Sequence, residues 1–251
     1  MIHFTKGDIF VVTGASSGLG EETAKQLISL GATVIAIARN TDKLELIREN
    51  LEIKENFFIE TYDFSDLEKI VGLFKSIAKK YGKLSGVVHF AGVSQLLPIR
   101  ATSIKSLKEI FDINFFSSYE IIKAMNDKRV RNQNASILLV SSISSLRSFE
   151  GLTAYGSSKG AINSLVISSA LELSKNNTRV NSIVPGHVET GMTEKMAETQ
   201  NDEYKQELIN SYPLGAGNPK DIANLSIFLL SDKSKWITGQ NITIDGGRTL
   251  I

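Results

Sequence analysis

Hydrophobic positions along this chain fall into two patterns that alternate. Short runs rich in β-branched and apolar residues, typical of strands buried on both faces, recur along the sequence. Between them, longer segments carry apolar residues at the three- and four-residue spacing of helices, as at Ile70, Phe74 and Ile77. The predicted strands are Asp8–Val12, Thr33–Ala38, Phe57–Thr61, Gly86–Phe90, Ser136–Ser141, Arg179–Val184 and Asn241–Ile244.

This alternation of strand and helix predicts an α/β protein. Parallel strands joined by helical crossovers form a sheet that the helices cover on both faces. We therefore expect a Rossmann fold with a doubly wound, parallel, seven-stranded sheet. No linker, repeat or low-complexity tract interrupts the sequence, so a single dinucleotide-binding and catalytic domain is expected to span residues 1–251.

One segment, Glu189–Pro213, departs from the alternating pattern. It is polar, helical in composition, and lies between the sixth predicted strand and the next helix. Ligands of open α/β sheets bind at the carboxyl ends of the strands, where an insertion after this strand would lie. We expect a mobile substrate lid at about 189–213. The alternative is a surface helical excursion without function.

Composition narrows the classes of function. The 28 basic and 27 acidic residues nearly cancel, which argues against a nucleic-acid groove or a membrane-binding face. The chain has no Cys and only three His, so disulfides and thiolate chemistry are excluded and a metal site is not expected. No apolar run approaches the roughly 20 residues of a membrane span, and no signal-peptide pattern is found. We expect a soluble, cytoplasmic protein.

The first predicted strand runs into a glycine-rich turn, Gly14–Gly20, with the spacing G-x-x-x-G-x-G. Glycines permit a tight turn and let a ligand approach the backbone closely. The helix that follows would offer free N–H groups and a partial positive charge to a phosphate. A glycine-rich turn without a ligand is the alternative, and the strand before it and the helix after it count against that reading.

The end of the second strand bears on which dinucleotide would bind. A carboxylate there would bind the ribose hydroxyls of NAD and repel a 2′-phosphate, but this strand ends without an acid and Arg39 follows. A guanidinium can hold a phosphate with two parallel hydrogen bonds. NADP(H) is therefore preferred over NAD(H). The alternative is that Arg39 is merely solvated.

A tyrosine and a lysine four residues apart, Tyr155 and Lys159, share one face of a predicted helix. A nearby ammonium should lower the pKa of a phenol from about 10 toward the range useful for acid–base catalysis. Ser142 lies at the end of the fifth predicted strand, at the same carboxyl edge, where its hydroxyl can bind a substrate oxygen. This Tyr–Lys spacing is common by chance, so its meaning depends on that context.

Taken together, these motifs resemble the short-chain dehydrogenase/reductase family over nearly the whole chain. The family's T-G-x-x-x-G-x-G motif corresponds to Thr13–Gly20, and its Ala-Gly pair after the fourth strand corresponds to Ala91-Gly92. The resemblance implies the catalytic residues Asn114, Ser142, Tyr155 and Lys159, and no metal. The cofactor-binding residues that it implies are Gly14, Ser16, Ser17, Gly18, Leu19, Gly20, Arg39, Asp63, Phe64, Ala91, Gly92, Tyr155, Lys159, Pro185, Gly186, Val188 and Thr190.

The resemblance also implies a mechanism. Ser142 orients a carbonyl, and Tyr155 gives up its proton as a hydride arrives from the nicotinamide. Lys159 lowers the pKa of Tyr155 and binds the nicotinamide ribose, and Asn114, which interrupts a helix, holds a water that links Lys159 to solvent. In two places the sequence departs from the family. Phe90 stands where the family has an Asn that makes structural hydrogen bonds. Ser17 stands where many NADP-using relatives carry a basic residue.

The substrate is less defined than the reaction. The subgroup most similar to this chain is the 3-oxoacyl-(acyl-carrier-protein) reductases, but the basic docking positions of that subgroup fall near Gln133 and Asn176. Arg131 and Lys175 are the adjacent cations that could replace them. Sugars, polyols, steroids and small ketones stay open as small-molecule carbonyl or alcohol substrates. Two other classes also stay open, namely a catalytically idle NADP-binding sensor or scaffold and an interaction module that binds no cofactor.

Apolar residues lie on more than one face of the long helices around Ser103–Asn126 and Ala154–Ser174. Relatives often pair these helices, so the resemblance implies a homotetramer or a homodimer. The alternative is that both faces are buried within one subunit.

Overall fold

The computed structural model describes residues 1–191 and 202–251. All the predicted strands form, within a residue or two of the predicted bounds except at one end of the fifth. They are β1 (Ile9–Thr13), β2 (Thr33–Ala38), β3 (Phe57–Thr61), β4 (Leu84–His89), β5 (Arg131–Val140), β6 (Arg179–Pro185) and β7 (Asn241–Ile244). They form one parallel sheet in the order β3-β2-β1-β4-β5-β6-β7. The predicted Rossmann topology is confirmed.

The sheet lies between two layers of helices. Among the described residues the α-helices are α1 (Gly18–Ser29), α2 (Thr41–Glu49), α3 (Ile70–Tyr81), α4 (Ile104–Phe111), α5 (Ser117–Met125), α6 (Thr153–Ser174), α7 (Asp202–Asn210) and α8 (Pro219–Leu230). Helices α1, α2 and α8 contribute apolar side chains to the core on one face, and α3, α5 and α6 contribute to the core on the other. The sheet is therefore doubly wound, as predicted.

Alternate residues of each strand enter the two cores. In β1, Val11 packs into the core beneath α3, α5 and α6, whereas Phe10 and Val12 pack into the core beneath α1 and α8. Successive strand residues point to opposite faces, so a sheet covered on both sides needs apolar residues at every position. This is why every residue of β2 is buried and all of them except Thr33 are apolar.

The largest difference from the predicted bounds is at the start of β5. The strand begins at Arg131, five positions before the predicted Ser136. Its first residues are polar and include Asn134, whose φ of 62° lies in the left-handed region. The pairing with β4 is irregular between Leu84 and Gly86, next to this stretch. The polar residues and the irregular pairing hide the start of the strand from a hydrophobic pattern.

The predicted lid at 189–213 is only partly described, because residues 192–201 lie outside the described ranges. Its beginning is held to the chain before α8, since the Glu189 N–H donates to the Gly217 carbonyl at 3.0 Å. Helix α7 lies in its second half. Its function as a lid stays a prediction, as does the cytoplasmic location. In the two described ranges, no helix is long and apolar enough to cross a membrane.

Candidate active site

A cleft of about 1000 Å³ opens at the carboxyl edge of the sheet. The strand order reverses at β1, which pairs with β2 on one side and β4 on the other, and the crossovers diverge there. Every residue that the sequence predicted for cofactor binding lines this cleft, and so does Ser142. Residues far apart in the sequence therefore meet in one place large enough for a dinucleotide.

The glycine-rich turn forms the floor of the cleft at the end of β1. Helix α1 begins at Gly18, and the N-cap residue Ser17 makes no capping hydrogen bond with its side chain, so the amides of the first turn stay available to an anion. A Cβ on Gly20 would lie 2.4 Å from the Gly14 carbonyl oxygen. Gly14 itself has a φ of 65°, and a Cβ there would lie 2.9 Å from the Ala91 nitrogen. The backbone is thus packed too closely for larger residues.

Two cations, Arg39 and Lys43, line the cleft at the end of β2 and in the first turn of α2. Lys43 was not predicted. The sequence feature that could have indicated Lys43 is the helix cap at Asn40. The Asn40 side chain accepts the Lys43 N–H and so fixes the first turn of α2 beside Arg39. Asp63 lies across from them and accepts the Ser65 N–H at 3.0 Å. That hydrogen bond, with a further contribution from the charge of Arg39, lowers the pKa of Asp63.

Three of the four candidate catalytic residues meet at the other end of the cleft. Ser142 follows β5, while Tyr155 and Lys159 lie in the first turns of α6. The Ser142 Oγ accepts the Ser144 N–H at 3.2 Å, and its hydroxyl hydrogen-bonds the Tyr155 phenol. The Lys159 ammonium donates to the Val140 carbonyl at 2.7 Å and lies 5.6 Å from the centroid of the Tyr155 ring.

The expectation that the pKa of Tyr155 is lowered is wrong for this structure. Burial raises the pKa of Tyr155, and the hydrogen bond from Ser142 opposes that rise only in part. The physical reason is that the Lys159 ammonium donates to a backbone carbonyl rather than to the phenol oxygen. Burial also lowers the pKa of Lys159, to about 8.

Asn114 lies in a π-helical turn, Asp112–Phe116, which interrupts the helix between α4 and α5 as predicted. Its Oδ1 accepts the Val93 N–H at 2.9 Å, and its Nδ2 donates to the Val93 carbonyl and to the Ser158 Oγ, both at 3.0 Å. The side chain therefore fastens the loop after β4 to α6, beside Lys159. The role of Asn114 in holding a water stays a prediction.

Sequence reasoning missed a buried histidine, His89, which is the last residue of β4. It is 3% exposed, and its ring nitrogens lie 2.7 Å from the Thr13 Oγ1 and 2.8 Å from the Ser117 Oγ. Burial, assisted by the charge of Lys159, lowers the pKa of His89 to about 3. The sequence feature that could have indicated this residue was a histidine near the end of an otherwise apolar predicted strand. Phe90, the departure from the family pattern, lines the cleft, and His89 carries the polar network beside it.

Arg131 does not supply the surface cation that the sequence suggested. It is only 6% exposed, and its guanidinium donates to the neighbouring Asn132 carbonyl at 3.3 Å. As the first residue of β5, it pairs with Leu84 of β4 and is buried rather than facing solvent. Of the two candidate docking cations, Lys175 alone is exposed.

The sheet order, the glycine cradle and the Ser–Tyr–Lys edge define a Rossmann-fold protein of the oxidoreductase class. A family model described as enoyl-(acyl carrier protein) reductase matches residues 14–249. The chain belongs to the short-chain dehydrogenase/reductase family.

Relatives and solved structures agree with this membership. The chain is 30% identical to a 3-oxoacyl-(acyl-carrier-protein) reductase of Thermotoga maritima, over 96% of this chain and 98% of that protein. It is also 30% identical to the protein of that description from Rickettsia conorii, over the full length of both. A short-chain type dehydrogenase/reductase from Mycobacterium ulcerans superimposes with a TM-score of 0.91 at 31% identity, covering 99% of this chain and 92% of that one.

Proposed function

We propose that this protein is an NADP(H)-dependent oxidoreductase that interconverts a carbonyl group and a secondary alcohol, with Tyr155 as the acid and base. The observation that carries the proposal is the position of Ser142, Tyr155 and Lys159 at one end of a cleft whose floor is a glycine cradle. Membership of an oxidoreductase family supports it.

The residues of the cleft fit the dinucleotide that this reaction needs. A Cβ on Gly20 would collide with the Gly14 carbonyl, so the turn gives the close backbone approach and the α1 amides that a pyrophosphate requires. Arg39 and Lys43 would hold the 2′-phosphate, and Lys159 would bind the nicotinamide ribose. When bound, the cofactor supplies or accepts the hydride.

The chain's own groups move the proton. In the direction of reduction, the Ser142 hydroxyl donates a hydrogen bond to the carbonyl oxygen. Tyr155 is protonated at neutral pH, because burial raises its pKa, and it gives its proton to the forming alcohol oxygen. The Lys159 ammonium donates to the Val140 carbonyl and not to the phenol, but it lies 5.6 Å from the centroid of the Tyr155 ring. It stays charged below a pH of about 8, so its charge would stabilise the remaining phenolate through space. In oxidation, the phenolate takes the proton back from the alcohol.

Tyr155→Phe tests the proton-transfer role. Loss of a general acid costs about a hundredfold or more in kcat, so turnover should fall by at least that factor while NADPH still binds. Both are measurable, by NADPH oxidation with a panel of ketones and by fluorescence titration. The matched control is Tyr119→Phe, since Tyr119 is an exposed residue of α5.

Near-normal activity in Tyr155→Phe would refute the assigned role. The alternative class, an NADP-binding sensor or scaffold, predicts a different outcome. The unmodified protein would then bind NADPH tightly without reducing any ketone of the panel.

Arg39→Asp tests the choice of cofactor. An aspartate at this position should repel the 2′-phosphate and favour the ribose hydroxyls of NADH, so kcat/KM for NADPH should fall by about tenfold or more relative to NADH. Lys54→Asp is the charge-matched control, because Lys54 is exposed and does not line the cleft. An unchanged NADPH preference in Arg39→Asp would contradict the assignment.

For the substrate we propose a small-molecule carbonyl compound, with 3-oxoacyl thioesters first on the panel because curated relatives carry that name. Arg131 is buried, and Gln133 and Asn176 are not basic, so of the positions expected to bind an acidic carrier protein only Lys175 presents an exposed cation. A 3-oxoacyl group on a small thiol should therefore react with a kcat/KM similar to that of the same group on the carrier. A tenfold or larger preference for the carrier would overturn this.

A further inference from the structure

His89 is the centre of a buried chain of hydrogen bonds that the proposed reaction does not use directly. Thr13 and His89 are register partners on the adjacent parallel strands β1 and β4, so their side chains point to the same face of the sheet. The ring reaches Thr13 with Nδ1 and Ser117, at the start of α5, with Nε2. All three residues are at least 97% buried, so their polar atoms depend on one another.

The hydrogen bonds fix the direction of this chain. The Ser117 hydroxyl donates its one proton to the Ile113 carbonyl, which can only accept. The Ser117 Oγ must then accept from His89, which places the ring proton on Nε2 and leaves Nδ1 as an acceptor for the Thr13 hydroxyl. Thr13 Oγ1 in turn accepts the Ala91 N–H at 3.0 Å. Every donor from Ala91 to Ser117 therefore has an acceptor.

The two ends of the chain are parts of the active site. Ala91 belongs to the cofactor cleft, next to Gly92. Ile113 precedes Asn114 in the π turn, whose wide backbone needs side chains such as Ser117 to satisfy its carbonyls. His89 thus ties the floor of the cleft to the turn that carries Asn114. The ring also packs edge-on against Phe64, which lines the cleft, with 5.1 Å between ring centroids.

We propose that His89 is a positioning residue. As the neutral Nε2–H tautomer, it couples Thr13 and the Ala91 amide to the π turn through Ser117. This coupling holds the cofactor cleft and Asn114 in a fixed position relative to each other. The inference rests on the proposed function only for its effect on turnover. Its hydrogen bonds and their coupling are testable without any substrate. The other groups around the ring, namely Thr13, Ser117, Phe64 and the Ile113 backbone, do not ionise near neutral pH, and the one charge that acts on the ring is Lys159.

A double-mutant cycle on NADPH binding tests the coupling. Thr13 and Ser117 share His89 as a hydrogen-bond partner and make no hydrogen bond to each other, so without His89 the effects of Thr13→Val and Ser117→Ala on Kd should multiply. With His89 in place, we expect the double variant to lose less affinity than the product of the two single losses, by about threefold or more. In a His89→Leu background the same cycle should show no coupling. Ser118→Ala is the matched control, since Ser118 caps the Asn114 carbonyl in the same turn but does not contact His89.

A second measurement uses the unmodified protein, so it requires neither a variant that folds nor NADPH. The ¹⁵N NMR spectrum of the unmodified protein should show His89 protonated on Nε2 alone, with shifts that do not change between about pH 5.5 and 8.5. A titrating ring, a proton on Nδ1, or multiplicative effects of Thr13→Val and Ser117→Ala would each overturn the proposal. If no ketone is reduced but the tautomer and the coupling are as expected, the proposed reaction fails while the role of His89 stands.

Discussion

Lys159 shows at the scale of one residue how burial tunes an acid–base site. Its ammonium lies in the interior against the Val140 carbonyl, and burial lowers its pKa to about 8. A lysine with a lowered pKa is charged below that pKa and loses its charge as the pH rises through it. Tyr155, with its raised pKa, keeps its proton over the same range. The alkaline limit of reduction should therefore belong to Lys159.

We expect kcat/KM for NADPH, which reports ionisations of the free enzyme, to fall as the pH rises through about 8. Lys159→Arg keeps a charge throughout this range and should lose that fall, though its overall rate should be lower because guanidinium geometry differs. Rate profiles from pH 6 to about 9.5 measure both. A fall near pH 8 that persists in Lys159→Arg would assign the limit to another group.

The sequence predicted the site residues of local motifs better than the residues whose contacts come from distant parts of the chain. The Gly14–Gly20 turn is local, so its residues line the cleft as expected. His89 depends on Thr13 and Ser117, which lie 76 and 28 positions away, and no periodicity links them. The predicted direction of the Tyr155 pKa shift was wrong for a related reason. It depends on burial and on where the Lys159 ammonium points, and neither is written in the four-residue spacing.

Among the elements, the contact between α1 and the turn before it makes the sharpest prediction. A Cβ on Gly20 would lie 2.4 Å from the Gly14 carbonyl oxygen, and neither backbone segment can move without displacing the other. Gly20→Ala should therefore push α1 away from the turn, lowering the free energy of unfolding by about 1–3 kcal/mol, the usual cost of overpacking. It should also weaken NADPH binding.

Gly72→Ala is the matched control for that change. Gly72 lies on α3, and a Cβ there would meet nothing within 4 Å. Because alanine is the better helix former, this variant should gain up to about 1 kcal/mol. Urea unfolding and NADPH titration measure both variants, and a Gly20→Ala protein as stable as the unmodified one would contradict the close-contact explanation.

The bounds of strands and helices could be predicted where the pattern of hydrophobic residues alone determined them. β2 and β3 have the predicted bounds because each is rich in β-branched and aromatic residues and lies between polar turns. The start of β5 was missed where Asn134 and its neighbours break the pattern. The interruption at Asn114 was implied by family resemblance alone, since nothing in helical periodicity distinguishes a π turn from continued helix.

For the whole molecule, the sheet order follows from a strong constraint. Right-handed crossovers and helices on both faces leave few ways to arrange alternating strands and helices, so the topology could be predicted. The oligomeric state could not be predicted in the same way. Apolar residues on two faces of one helix signal either a deep position in the fold or a contact with another subunit, and the sequence alone cannot separate the two.

Helix α6 has one apolar face in the core and other apolar side chains that are exposed, and the exposed ones are the basis for predicting a contact with another subunit. Its inner face, including Ile162 and Val166, packs into the core, while Ile167 and Leu171 are 58% and 75% exposed. Those two are four residues apart, so they share one face. Burial of such side chains contributes about 25 cal/mol per Å², which favours pairing of this face with a second copy.

We therefore predict a homotetramer, or a homodimer, whose contact includes α6. Light scattering should give a multiple of the 27.5 kDa chain mass for the unmodified protein. Leu171→Arg places an unpaired charge in that contact and should shift the protein to a smaller species, because a buried charge without a partner is strongly unfavourable. Leu46→Arg, on the exposed face of α2, is the matched control and should leave the mass unchanged. A monomeric unmodified protein, or an assembly that Leu171→Arg does not alter, would show that this face of α6 is not the contact.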